Sequence, residues 1–408
     1  SPCQNHPRAG QVIMAALLQG KGKKNGVIAL VVVVAFIPLV VSTGRAMLKN
    51  PPLVTENPRE KASGNKLPVK KWVLARRPEG IFSEENCKLV EDSIDIDALE
   101  EDEVVVKPLY LSVDAFIRTM LDEEAYHGSV PLEGVMPALG MGEVIHSGKK
   151  AKHKVGAVVQ GMLGAQSATV LKSKEAMGAL RLPWTPPTAG LGLLGLTTGV
   201  TAWVGCFAVA APPKRGQTVV VSAAAGAVGS VAAQLLLRRG CRVIGIAGGA
   251  QKCAYLTEEL GLAGAVDYKA APGGLDAQLR AQCPDGVDFF FDNVGGGTLD
   301  ALLPLLNPKA RVIICGAVSQ YSGNLNKGRV EGPANYLKLA ERGASMHGYN
   351  VMQHFAKLPM ALISLLWHFW RGHLQMRETI VEGLESFPLA LKAMFTGGHI
   401  GKLLVKCY

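Results

Sequence analysis

A chain of 408 residues, 48% hydrophobic and 19% charged, carries enough apolar material for two packed cores and excludes a disordered protein. The net charge of +10 would suit a nucleic-acid binder, but eleven Lys and Arg against two Glu within residues 1–71 account for nine of those charges. The remaining body is nearly neutral and has no helix-turn-helix or zinc-finger spacing, which excludes nucleic acid as a partner.

The chain opens with a basic stretch (Lys21, Lys23, Lys24) before an uncharged apolar run at 26–43, broken by Pro38. This pattern reads as a targeting segment or a single membrane anchor, or as a tail outside the folded body. Residues 51–66 are polar and Pro-rich and read as a linker. The eight cysteines are scattered without a Cys-x-x-Cys pair, which argues against a structural zinc lobe. Buried free thiols in a reducing, cytoplasmic compartment are the expectation for the body.

The folded part begins near Trp72, and residues 103–113 form a strand run rich in β-branched side chains. Glycines at 140, 142, 148, 156, 161 and 164 punctuate short apolar pieces, so short strands separated by glycine turns are expected. Asp114 and Arg118, four apart, could pair on a helical turn and read as structural support for the cleft rather than as catalysts.

From Gln217 the rhythm changes to strand, glycine loop, helix, strand, helix, the order of a doubly wound parallel sheet. The strand run 218–222 leads into Ala223-Ala224-Ala225-Gly226-Ala227-Val228-Gly229 and then a helix over 230–239. Small residues are needed there because a pyrophosphate must approach the backbone closely while the helix N-terminus faces it. Ala223 stands where the first glycine of the fingerprint is usual. The second strand, 242–246, ends in a turn containing Gly248 and Lys252, and no Asp or Glu occurs between Gly226 and Thr257. An enzyme using NAD usually places an acid there for the ribose 2′-hydroxyl, so its absence points to NADP. Lys252 either meets the 2′-phosphate or is a solvated lysine at a helix start. Two further strand runs end at Asn293 and at Gly316-Ala317, and the loop through Tyr321 is expected to face the cofactor. His347, His354, His368 and His373 lack ligand spacing and read as core or surface residues. The segment 358–373 has a helical period, and 400–406 reads as a closing strand.

Five motifs then occur in one order: Pro78-Glu79-Gly80, Leu111-Ser112-Val113-Asp114 with Arg118, SAAAGAVGSVAAQL, FDNVGG and GAVSQY. Together they resemble the medium-chain dehydrogenase/reductase superfamily, in its zinc-free prostaglandin reductase and leukotriene B4 12-hydroxydehydrogenase branch, which also holds the plant-type NADPH-dependent 2-alkenal reductases. The resemblance runs from about Lys71 to Lys406. It implies a Rossmann cofactor domain at 189–349, and a β-rich GroES-like catalytic domain at 66–188 completed by 350–408, after a leader and linker at 1–65. It also implies NADPH-dependent reduction of the carbon–carbon double bond of an α,β-unsaturated aldehyde or ketone, in a homodimer. Tyr321 takes the catalytic donor role in this resemblance, Phe116 and Tyr349 join it in the substrate pocket, and Lys252 and Tyr268 hold the adenosine end. A strand-end tyrosine packed on the sheet is the alternative for Tyr268.

Three positions depart from the family pattern: Phe116 stands for a tyrosine, Ala157 for an aspartate, and His399 for a cofactor-contacting asparagine. No metal is expected, because Gly140-Met141-Gly142-Glu143 lacks the His-Glu pair of the zinc-dependent relatives. Two other readings stay open: a quinone oxidoreductase of the same superfamily, and a tethered nucleotide-binding scaffold without turnover.

Overall fold

A computed structural model describes residues 65–408, apart from 126, 127, 180, 181, 183, 184, 271–273, 323–329 and 331. The apolar run 26–43 lies outside the described residues. Among the described residues no helix is long and apolar enough to cross a membrane.

The first strands are β1 (Lys66–Leu74), β2 (Cys87–Asp95) and β3 (Glu103–Ser112), followed by the short helix α1 (Phe116–Thr119). Next come β4 (Leu139–Ser147), β5 (Val158–Met162), β6 (Thr169–Lys172) and β7 (Met177–Gly178). After α2 (Thr201–Phe207) the pattern alternates: β8 (Thr218–Val221), α3 (Ala227–Arg238), β9 (Arg242–Ala247), α4 (Ala250–Ala254), β10 (Gly264–Asp267), α5 (Gly274–Gln282), β11 (Val287–Asp292), α6 (Gly296–Leu302) and β12 (Leu306–Ile314). The chain finishes with α7 (Leu337–Arg342), β13 (Ser345–Gly348), α8 (Leu358–Trp370), β14 (Glu378–Glu382), α9 (Phe387–Thr396) and β15 (Lys402–Lys406).

The alternating part builds a six-stranded sheet in the order β10-β9-β8-β11-β12-β13, with every pair parallel. This is the doubly wound arrangement, and its strand order reverses between β8 and β11. Val219–Val221 and Phe289–Phe291 are fully buried because helices cover both faces of a parallel sheet, which is why these strands read as unbroken apolar runs.

The other strands form a seven-stranded sheet in the order β14-β15-β3-β4-β5-β7, with β6 paired to β3. All its pairs are antiparallel except β14 with β15. Val106, Leu111, Val144 and Leu403 lie in its core. Gly140 and Gly142 lie inside β4, not in turns as the sequence suggested. A Cβ on Gly142 would sit 2.5 Å from the Lys107 carbonyl oxygen, so the glycine lets β3 come close beside its bulge at Pro108 and Tyr110.

The pair of Asp114 with Arg118 that the spacing allows does not form. Asp114 is bound instead by a lysine far away in sequence, and Arg118 by an acid four positions further on. Arg118, fully buried, donates to Asp122 at 2.9 Å and to the Gly80 carbonyl at 2.8 and 2.9 Å. Asp114 accepts from the buried Lys402 at 2.7 Å and from the Ser112 hydroxyl. This pair fixes the start of β15 to the end of β3. The segment just before β15 is tied across to the parallel sheet, where the Gly401 N–H donates to the Ala225 carbonyl at 2.8 Å.

Candidate active site

The reversal point of the parallel sheet is framed by the loops after β8 and β11. After β8, residues 222–226 form a tight turn in which Ala223 takes a left-handed conformation (φ 47°). The usual first glycine of such a loop suits that conformation, and here alanine occupies it at a cost of about 1 kcal/mol. Gly229 has no such freedom to spare: a Cβ there would lie 2.2 Å from the Ala223 carbonyl oxygen, so only glycine lets α3 start so close to the strand. Ala225, Gly226, Ala227 and Val228 complete this small-residue cradle, and the bond from Gly401 holds it from the other sheet.

The two loops are locked together by Asp292, which is fully buried at the end of β11. Its carboxylate accepts from the Ser222 hydroxyl at 2.7 Å and from the Val294 and Gly295 N–H groups at 3.0 Å each. Burial pushes this carboxyl up, and the hydrogen bonds pull against that shift. Asn293 donates its side-chain amide to the Ser222 carbonyl at 2.7 Å and its N–H to the Ser222 hydroxyl at 2.8 Å. Asn293 therefore joins the strand ends directly. Neither Ser222 nor Asp292 had a role in the sequence reading, although a buried acid inside an apolar strand end is a legible signal of such a hub.

The strand ends after β9 and β10 are marked by cations. Lys252 sits on α4, entered through a turn in which Gly249 has φ 98°. The Tyr268 ring lies against Gly248, where a Cβ would be 2.7 Å from the ring, so the Gly248 position exists to make room for it. Asp267 accepts from the Gly249 N–H at 2.8 Å and the Lys269 N–H at 2.9 Å, and the Gly249 bond leads in holding its carboxyl low. The second of these bonds bends the chain after β10 and returns Lys269 toward Gly397. The Nζ atoms of Lys252 and Lys269 lie 3.6 and 3.5 Å from where a Cβ of Gly397 would be. Burial, and next the charge of Lys269, lowers the Lys252 ammonium pKa. Two residues further along, burial and then Lys252 push the His399 imidazole down to about 4, and its Nδ1 is buried without a partner. Sequence reasoning missed Lys269, whose placement depends on the Asp267 turn.

Beyond β12 the loop through Gly316 and Ala317 turns back on itself. The Ala317 N–H donates to the Tyr321 hydroxyl oxygen at 3.2 Å, and the hydroxyl rests over Gly316, which a Cβ would bring within 3.0 Å. Burial leads in raising the Tyr321 phenol pKa, so it stays protonated at neutral pH with its proton left to donate. The resemblance to the family implies Tyr349 as a residue of the substrate pocket. Its hydroxyl is committed to the Thr201 carbonyl at 2.8 Å and to the Cys315 sulfur at 3.2 Å. Phe116, half-buried, packs against the core of the seven-stranded sheet.

These features fit a phosphorylated dinucleotide: a backbone cradle and cations that make no ion pair among the described residues.

Comparison with known proteins agrees. A family model described as the N-terminal domain of oxidoreductase matches residues 70–178, and one described as zinc-binding dehydrogenase matches 227–364. The chain is 38% identical over 334 residues to an NADP-dependent oxidoreductase of Bacillus subtilis, covering 82% of this chain and 96% of that protein. It is 34% identical over 344 residues to prostaglandin reductase 1 of Mus musculus, covering 83% of this chain and 99% of that protein. The chain belongs to the zinc-free prostaglandin reductase branch of the medium-chain dehydrogenase/reductase superfamily. Among solved structures, CurA from Vibrio vulnificus in complex with NADPH is similar at a TM-score of 0.76 and 33% identity, covering 83% of this chain and 99% of that one. The chain is an NADP-dependent oxidoreductase, with NADPH as its cofactor.

Proposed function

We propose that this oxidoreductase reduces the carbon–carbon double bond of α,β-unsaturated aldehydes and ketones. When bound, NADPH supplies a hydride to the β-carbon of such a substrate. The observation that carries the reading is the Tyr321 hydroxyl held by the Ala317 N–H over Gly316, at the carboxyl end of the parallel sheet. A neutral phenol whose oxygen already accepts from Ala317 keeps its O–H to give to a carbonyl oxygen that becomes negative as the double bond is reduced. The Ala317 N–H polarises that O–H and fixes its direction. Phe116 stands where the family pattern has a tyrosine, so in this reading it brings no hydroxyl and Tyr321 acts as the donor.

In this reading residues 189–349 hold the cofactor, while 66–188 and 350–408 close over the substrate. The family's homodimer is supported by β13, which has no outer strand partner among the described residues, and by the exposed Met360 and Trp370 of α8, and sedimentation velocity tests it.

The test of function is a panel of 2-alkenals, enones and quinones with the purified chain, following NADPH absorbance. Turnover of alkenals or enones is expected; turnover confined to quinones, or none, refutes the proposal. Tyr321→Phe is expected to lower kcat about a hundredfold with NADPH affinity unchanged.

A further inference from the structure

Two ammonium groups from separate elements converge on one point. Lys252 comes from α4 and Lys269 from the turn after β10, and both reach the space above Gly397. Gly397 ends α9 in a left-handed conformation (φ 82°), and having no side chain it leaves the gap between the two amines open. Among the described residues neither lysine makes an ion pair, whereas Lys402, nearby in sequence, is neutralised by Asp114. The charge of Lys269 already works against that of Lys252, and a dianion held between the two amines would relieve that cost. His399, on the same turn, adds a buried nitrogen without a partner. The two lysines offer ammonium donors from two sides, which matches the oxygens of a phosphate monoester.

We propose that Lys269 is a second phosphate-holding residue, and that Lys252 and Lys269 acting together, rather than Lys252 alone, select NADPH over NADH. This rests on NADPH as the cofactor. It adds a residue with which neither the glycine loop nor the acid-free turn is concerned. Lys269 is exposed in the free protein, so its side chain can be shortened without disturbing the core.

The experiment measures dissociation constants for NADPH, NADH, 2′,5′-ADP and inorganic phosphate in the full chain and in Lys252→Met, Lys269→Met and Lys269→Arg. Loss of one charge-assisted contact is expected to weaken NADPH and 2′,5′-ADP about tenfold in Lys269→Met, leaving NADH within about twofold. Lys269→Arg is expected to recover most of the loss. Equal weakening of NADH, or NADPH affinity unchanged in Lys269→Met while Lys252→Met weakens it, overturns the proposal. If both single variants leave NADPH and 2′,5′-ADP unchanged, the placement of the 2′-phosphate itself is wrong. A pocket that is equally tight for inorganic phosphate and 2′,5′-ADP would mean an anion site unconnected with the cofactor, and would also overturn it.

Discussion

Replacing His399 with Asn removes a group whose charge state folding itself controls. In the folded protein burial, followed by the Lys252 charge, moves its imidazole from 6.5 to about 4. Above pH 6.5 both folded and unfolded chains hold the ring neutral, and no pH-dependent term arises. Between 6.5 and about 4 the unfolded chain gains a proton that the folded chain does not, so stability falls as pH falls. Each pH unit in that window costs about 1.4 kcal/mol, so moving from pH 6.5 to about pH 5 costs the wild type about 2 kcal/mol through this one residue. Asn does not titrate. Urea denaturation at about pH 7.5 and about pH 5 should therefore show the wild type losing about 2 kcal/mol more than His399→Asn. Saturating NADPH should shrink the gap, because a phosphate beside the ring favours its charged form. Parallel losses in the two proteins without ligand would refute the argument that His399 is held neutral.

Three further outcomes follow from the packing. Gly229→Ala places a methyl 2.2 Å from the Ala223 carbonyl oxygen, so α3 must shift; a loss of about 2–3 kcal/mol in denaturant melts and weaker NADPH binding are expected. Lys402→Met leaves Asp114 buried without its cation and should cost about 3–5 kcal/mol, whereas the double variant Asp114→Leu with Lys402→Met should recover most of it, as a double-mutant cycle reads directly. Tyr349→Phe removes the donor to Thr201, with an expected loss of about 1 kcal/mol in stability and no change in substrate KM, which separates a structural hydroxyl from a substrate contact.

Part of the site is legible because its causes are local. An apolar strand, small residues and a helix lie within a dozen positions at 218–229, and the contacts that require Gly229 to be glycine also fall inside that span. The missing acid after β9 is likewise a matter of neighbouring residues. Spacing failed where side chains had a choice of partners. Asp114 and Arg118 are four apart, yet Asp114 is bound by Lys402, 288 positions away, and Arg118 by Asp122. The Arg118–Asp122 pair is itself local, but no local pattern carries the pairing of Asp114 with Lys402, which is decided by how β3 and β15 pair.

The sequence by itself determined the parallel sheet, the small-residue loop after β8 and the acid-free turn after β9, since strand period, small side chains and an absent carboxylate act over a few residues. Only the tertiary structure decided that Lys252, Lys269 and His399 meet. They come from α4, the turn after β10 and the turn after α9, and they converge because Gly401 bonds to Ala225 and Gly397 leaves the space.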